Sequence, residues 1–246
     1  MRKYLFLLCM LGGLAAQADE MTCGSVGNAF GPFDYRHQFG EPKRLVESAH
    51  FTPYIESLIR GRTALHVGGD IDYTLRAFPN HHRALLSMMN LALREQNKKP
   101  RGSRYTVDCW LDRAERFAPD DGMVKVLWAN WLIKQGNKTE ALSKLEAGLK
   151  QAPESDMNFD YSVGLAYFDL QRYEESLAAA QRAYRAGFQL PGLKQKLSKL
   201  GRWQEPAPLP EDAEAKPAAV PEATVEQATP AAKTEVAEPG SAPAAP

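Results

Sequence analysis

The chain has 246 residues, 44% of them hydrophobic, with 30 basic and 30 acidic side chains and a formal net charge of zero. That length allows one or two domains, and the apolar content is that of an ordinary globular protein. The charge is unevenly divided: residues 205–246 hold eight acids against two lysines, residues 1–18 carry Arg2 and Lys3, and residues 19–204 are left at +4, too weakly basic for a surface that tracks nucleic-acid phosphates.

Arg2 and Lys3 precede an apolar stretch from Tyr4 to Ala15, and Ala16-Gln17-Ala18 places small residues before Asp19. This is the pattern of a cleavable export signal over residues 1–18; an uncleaved anchor is the alternative, although the stretch is short for a membrane span. Cleavage removes Cys9 and leaves Cys23 and Cys109. In an oxidising compartment an even pair is most simply a disulfide, closing a loop of 87 residues that the chain-entropy account values at roughly 4–5 kcal/mol; two separate thiols are the other reading.

Residues 19–68 are rich in glycine and aromatic side chains without either helical or strand period, and Thr52-Pro53 opens a short helix ending near Gly61. They read as an irregular arm that cannot fold alone and lies along the rest of the chain. The glycines of Gly68-Gly69-Asp70 read as a turn, because no phosphate-loop or dinucleotide fingerprint accompanies them.

From residue 69 to 204 the sequence repeats. Ala77-Phe78-Pro79-Asn80, Phe117-Ala118-Pro119-Asp120 and Gln151-Ala152-Pro153-Glu154 each end one amphipathic run and begin another. Proline stops the first helix, and Asn80 or Asp120 is a candidate cap for the next. The proline spacings are 40 and 34, and the six residues Asn97-Lys98-Lys99-Pro100-Arg101-Gly102 account for the difference. Helices are expected over residues 70–78, 80–96, 105–117, 123–135, 139–150 and two more from 157 onward, followed by a short helix from Pro191 through Leu200 that covers the last apolar flank. Small residues recur within these runs: Ala114, Ala129, Ala141, Gly148, Gly164 and Ala183.

With a 34-residue period, Pro119 and Pro153 at the unit ends, and Gly164 followed one turn later by Tyr167, this region resembles the tetratricopeptide repeat (TPR) family. The resemblance implies an all-α fold: a short α-solenoid of about three helical hairpins with a C-terminal capping helix, in which those small residues sit where paired helices cross. Upstream, the helix over 70–78 resembles a second helix lacking its first, a half-repeat. The family presents first-helix side chains to a concave groove that binds other proteins. Trp128, Trp131 and Tyr161 are the possible groove residues here, although aromatics at helical spacing are more often core.

Residues 205–246 contain thirteen alanines and nine prolines with no aromatic side chain, a composition that cannot bury enough surface to offset chain entropy. They read as a disordered tail, either a passive solubilising segment or a tether.

His66, Asp70, Asp72, His81 and His82 are the candidate metal ligands, but their spacing matches no known ligand frame, and neither a nucleophile elbow nor a CxxC pair is present. No metal, cofactor or catalytic residue is therefore expected. The leading expectation is a periplasmic or secreted adaptor that binds another protein of the cell envelope, with no integral span and no nucleic-acid partner. The rival is an exported hydrolase or metal-dependent accessory enzyme with a site between the arm and the first repeat, near His66, Asp70 and His81.

Overall fold

A computed structural model describes residues 23–206. The expected export signal over residues 1–18 and nearly all of the expected disordered tail over 205–246 lie outside them. Ten helices and no strand occur among the described residues: α1 (Glu41–His50), α2 (Pro53–Glu56), α3 (Val67–Ala77), α4 (His82–Glu95), α5 (Val107–Phe117), α6 (Gly122–Lys134), α7 (Lys138–Leu149), α8 (Met157–Asp169), α9 (Tyr173–Arg185) and α10 (Gly192–Lys199).

Three hairpins, α4/α5, α6/α7 and α8/α9, stack as a helical solenoid, with the first helices α4, α6 and α8 packed on one another in sequence. Each hairpin begins where a side chain replaces the missing hydrogen-bond acceptor of a first turn. Asp121 Oδ1 accepts from the Met123 and Val124 amides, and Asp156 Oδ1 accepts from those of Asn158 and Phe159. Before α4 the cap is His81, whose Nδ1 accepts from the Ala84 amide at 3.2 Å. The caps thus lie one residue beyond the expected Asn80 and Asp120. Those two side chains are engaged by the arm instead.

The interior runs without a break from Ile55 through Trp110, Leu127 and Leu145 to Ala179. Ala114, Ala129, Ala141, Gly148, Gly164 and Ala183 are all buried, while Pro119 and Pro153 are exposed in the loops. A Cβ built on Gly148 would sit 2.9 Å from the Gly122 carbonyl oxygen, and one on Gly164 would sit 2.5 Å from Leu193 Cδ2. Beyond the last hairpin, α10 buries Leu193 and Leu197 against Leu177 and Ala180. This short helix covers the apolar end of the stack, which a solenoid otherwise leaves wet.

The arm contains more helix than its composition announces. Ten residues, Glu41–His50, form α1, with Pro42 in the first turn and Val46 buried. Helix α1 packs on α3, so the half-repeat does have a partner, supplied from upstream. The short helix at Thr52 runs only from Pro53 to Glu56, and α3 starts at Val67 rather than Asp70. A second small core joins Val46, Ala77 and Phe78 to Phe33, Tyr35 and Tyr73. Gly31, at φ +93°, lets the arm pass so close to the end of α3 that a Cβ there would be 2.5 Å from the Ala77 carbonyl oxygen; the same carbonyl accepts from the Phe33 amide.

Cys23 and Cys109 form a disulfide, tying the start of the arm to α5. Beside it the buried Arg113 donates from Nη1 to the carbonyls of Cys23 and Ser25, and Arg116 donates to that of Gly24. Burial pushes the Arg113 guanidinium below its ordinary pKa. It is balanced by backbone oxygens and by the faces of Tyr105 and Trp110.

Candidate binding groove and the arm junction

The first helices of the three hairpins carry two apolar faces each. One enters the interior; the other opens on a groove of about 640 Å³. On α6 the groove stripe is Met123, Leu127, Asn130 and Lys134, spaced by four, three and four residues and therefore aligned along one side of the helix. The matching stripes are Leu86, Met89 and Leu93 on α4, and Tyr161, Leu165 and Asp169 on α8. Leu86 and Leu93 are 43% and 41% exposed, so the groove floor is apolar and accessible. Tyr35 and Glu56 of the arm line it at α4, and Phe188 and Leu190, which follow α9, line it at α8.

Charges on the groove are mostly paired. Arg83 donates from Nε to Glu56 at 2.6 Å, which holds the guanidinium above its ordinary pKa. Lys134 and Lys196 bracket Asp169 at 2.5 and 3.6 Å. Tyr161 stacks on Phe188 with centroids 4.0 Å apart, and burial raises its hydroxyl pKa. Asn130 Nδ2 donates to the Val126 and Ser162 carbonyls, joining α6 to α8 under the floor.

Of the three aromatics expected at the groove, only Tyr161 lines it. Trp131 is buried and donates from Nε1 to Asp108 of α5 at 3.0 Å. Trp128 is half-buried beneath Lys144 of α7, whose Nζ lies 3.8 Å from the ring centroid. Each tryptophan is one residue past a groove position, and one residue turns a helix by 100°; both therefore face the second helices. Tyr167 is half-buried under the Arg172 guanidinium at 5.1 Å. A usable signal was present in the sequence: α6 reads GMVKVLWANWLIK, apolar almost all round, which requires two contact faces rather than one.

The arm meets the solenoid through a polar junction beside Tyr35. Asn80, wholly buried, accepts from the Tyr35 amide and donates to Asp34 and Asp121 at 2.8 and 2.9 Å. Arg36 forks onto Asp34 and reaches Asp120 at 3.0 Å. Burial would raise the Asp34 carboxyl, but the hydrogen bonds from Arg36 and Asn80 outweigh it and hold the group far below the usual carboxylate range. Asp121 is likewise held low against its burial by His82, 2.8 Å away. Tyr35 stacks on His81 at 4.1 Å, with Lys43 over its ring.

The candidate metal ligands are dispersed among separate partners. Asp70 is buried and accepts from the amides of Arg62, Thr63 and Ala64, with His50 Nδ1 3.0 Å away. It closes the loop before α3. Asp72 accepts from Arg76 and from the Arg104 amide. His81 is buried against Glu47, His82 faces Asp121, and His66 is exposed. Among the described residues no three His, Cys, Asp or Glu side chains are grouped to hold a metal ion, and no helix is long and apolar enough to cross a membrane. His66, Asp70 and His81, the centre of the enzyme alternative, share no partner. No family model, curated protein or solved structure matches the chain.

Proposed function

We propose that the chain is an exported, TPR-like adaptor of the cell envelope, periplasmic or secreted, that binds a segment of another protein in the groove of α4, α6 and α8. The observation that carries this reading is the second apolar stripe on all three first helices. On the groove Leu86 and Leu93 of α4 are exposed and Leu165 of α8 is half-buried, over a floor that Met89, Met123 and Leu127 share with the interior, and a contiguous accessible apolar surface of this kind marks a binding site. A helix or extended segment fits such a groove, with apolar anchors on the floor and polar groups meeting Arg83, Lys134 and Asp169 at the rims. The Cys23–Cys109 disulfide supports an oxidising compartment, as does the signal-like pattern of residues 1–18.

The test is capture from envelope extracts with the wild-type chain, with Leu86→Glu/Leu165→Glu in the groove, and with Leu200→Glu as an exposed control outside it. A specific partner is expected with wild type and the control and lost with the groove variant, whose melting curve must match wild type. Capture of the same proteins by all three sinks the groove as the binding surface.

A further inference from the structure

Of the insertion that breaks the repeat spacing, residues 97–102, only Pro100 is buried. The insertion lies against the loop between α2 and α3, residues 57–66. Arg94 Nη1 donates to the Leu58 carbonyl at 2.6 Å. A Cβ on Gly68 would be 2.3 Å from the Arg101 carbonyl oxygen, and one on Gly102 would be 2.7 Å from the Gly69 amide nitrogen. The Gly68-Gly69 pair therefore serves to let the first turn of α3 press on the insertion. The two loops form one edge of the molecule.

That edge is strongly charged. Residues 57–66 carry Arg60 and Arg62; residues 94–106 carry Arg94, Lys98, Lys99, Arg101 and Arg104; the only acid in either segment is Glu95, whose carboxylate accepts from the Arg101 amide. The nearby Asp70 and Asp72 are buried. Of these seven cations, Arg104 alone has a carboxylate within ion-pair distance among the described residues, Asp72 at 3.6 Å. By contrast, Arg36, Arg83, Lys134 and Lys144 each have a carboxylate partner. The same edge exposes aliphatic side chains that the fold leaves unburied: Leu65 is 92% and Ile59 67% exposed. Tyr54, 55% exposed, lies under the Arg60 guanidinium at 4.9 Å.

Unpaired cations beside protruding aliphatic and tyrosine side chains match the two layers of an anionic membrane surface, charged headgroups over an apolar boundary. A nucleic acid would use the cations but gives Leu65 and Ile59 nothing to enter. We propose that this edge docks the chain onto an anionic phospholipid surface, with Leu65 and Ile59 entering the headgroup–acyl boundary and Arg60, Lys98, Lys99 and Arg101 meeting the phosphates. None of these residues lines the groove, so membrane docking and partner binding are separable by mutation.

The experiment is co-sedimentation of the disulfide-bonded chain with vesicles of phosphatidylcholine, with and without phosphatidylglycerol, over a series of salt concentrations. All variants share the native N-terminus, so any contribution from residues 1–18 is common to them. Wild type should bind the phosphatidylglycerol vesicles, and more weakly as salt rises. Each cation near an anionic surface is worth about fivefold in affinity, so Arg60→Gln/Lys98→Gln/Lys99→Gln/Arg101→Gln should weaken binding by roughly several hundredfold. Ile59→Ser/Leu65→Ser should weaken it about tenfold or more, with its melting curve unchanged. The groove variant Leu86→Glu/Leu165→Glu should bind vesicles like wild type, even if it also captures the same proteins as wild type. No binding to phosphatidylglycerol vesicles, or unchanged binding by the four-cation variant, overturns the proposal. So does equal binding to duplex DNA together with indifference to Ile59→Ser/Leu65→Ser, which would make the edge a general polyanion site.

Discussion

Between residues 23 and 82 the chain is fastened to its neighbours by buried polar side chains, whereas from Asp121 onward adjacent helices close on small apolar ones. Asn80 and Arg113 reach across 45 to 90 residues of sequence to hold the arm. Gly122 and Gly148 instead bring segments near in sequence into direct backbone approach, and Gly164 makes room for Leu193 of the terminal helix. The difference follows from what each region can bury. The arm buries scattered apolar side chains, among them Val46, Phe51 and Ile55, rather than a continuous stripe, so its position depends also on directional bonds and a covalent link. The hairpins bury continuous stripes, so their positions depend on how closely two cylinders can meet.

The largest effect should come from breaking the covalent link on the polar side. Replacing both cysteines, Cys23→Ser and Cys109→Ser, should lower stability by about 2–5 kcal/mol, read from urea unfolding against wild type. Circular dichroism in the absence of denaturant should still show the hairpin helices. An unchanged midpoint would mean that Arg113, Arg116 and Asn80 hold the arm without help, and the contrast between the regions would shrink to one of bond type.

The two regions were unequally legible in the sequence. At Gly148 and Gly164 the resemblance to the repeat family implied a small residue at a crossing, and a Cβ at either would meet a neighbouring element. Helix order and the terminal cap followed. Helix α1 was missed although Pro42 in its first turn is a start signal, because only Val46 is buried and one apolar position makes no periodicity. The polar junction was beyond reach: Asn80 and Asp121 look like cap residues locally, and their arm partners are set by tertiary approach. At the groove, Tyr161 lines the floor while Trp128 and Trp131, first-helix aromatics like it, face the second helices, because helix rotation decides which face a side chain takes.

Next in size is the tightest crossing on the apolar side. A Cβ on Gly122 would lie 2.3 Å from the Gln151 carbonyl oxygen and 2.8 Å from that of Gly148. Both obstacles are backbone and cannot step aside. Gly122→Ala should therefore cost about 1–3 kcal/mol by overpacking, even though alanine favours a helix. A neutral result in chemical denaturation would show that α6 and α7 are free to separate.

A smaller effect, confined to a range of pH, tests the polar side again. His81 is buried with Nδ1 accepting from Ala84 and Nε2 against Glu47, and its other charged neighbours are Arg83 and His82. Burial holds its pKa below the ordinary 6.5. As pH falls through that value the unfolded chain takes up a proton that the folded ring resists, so stability is full above about 6.5 and declines below it. The His81 hydrogen bond holds the Glu47 carboxyl below 4.5, which adds a second loss in acid below that value. The urea midpoint of wild type should drop between about pH 8 and pH 5.5, and by less in His81→Asn, which can cap α4 but not titrate. Parallel pH profiles for the two proteins would remove His81 as a source of the sensitivity.

The smallest effect is expected where the apolar side is close-packed but yielding. A Cβ on Gly164 would be 2.5 Å from Leu193 Cδ2 and 3.5 Å from the Ala179 Cβ. Here the obstacle is the end of a flexible side chain on the terminal helix, which can rotate. Alanine is favoured over glycine within a helix by roughly 0.8–1 kcal/mol; displacing a buried methyl group opposes that gain by a similar amount. Gly164→Ala should therefore stay within about 1 kcal/mol of wild type, while Gly164→Leu should cost about 1–3 kcal/mol. Leu193 is the specific obstacle, so the two sites should couple. Leu193→Ala should be less damaging in the Gly164→Ala background than alone, by an interaction energy measurable in a double-mutant cycle. If Gly164→Ala destabilises as much as Gly122→Ala, and Leu193→Ala does not relieve it, then α10 is fixed as firmly as the backbone it covers, and the end of the solenoid is no softer than its middle.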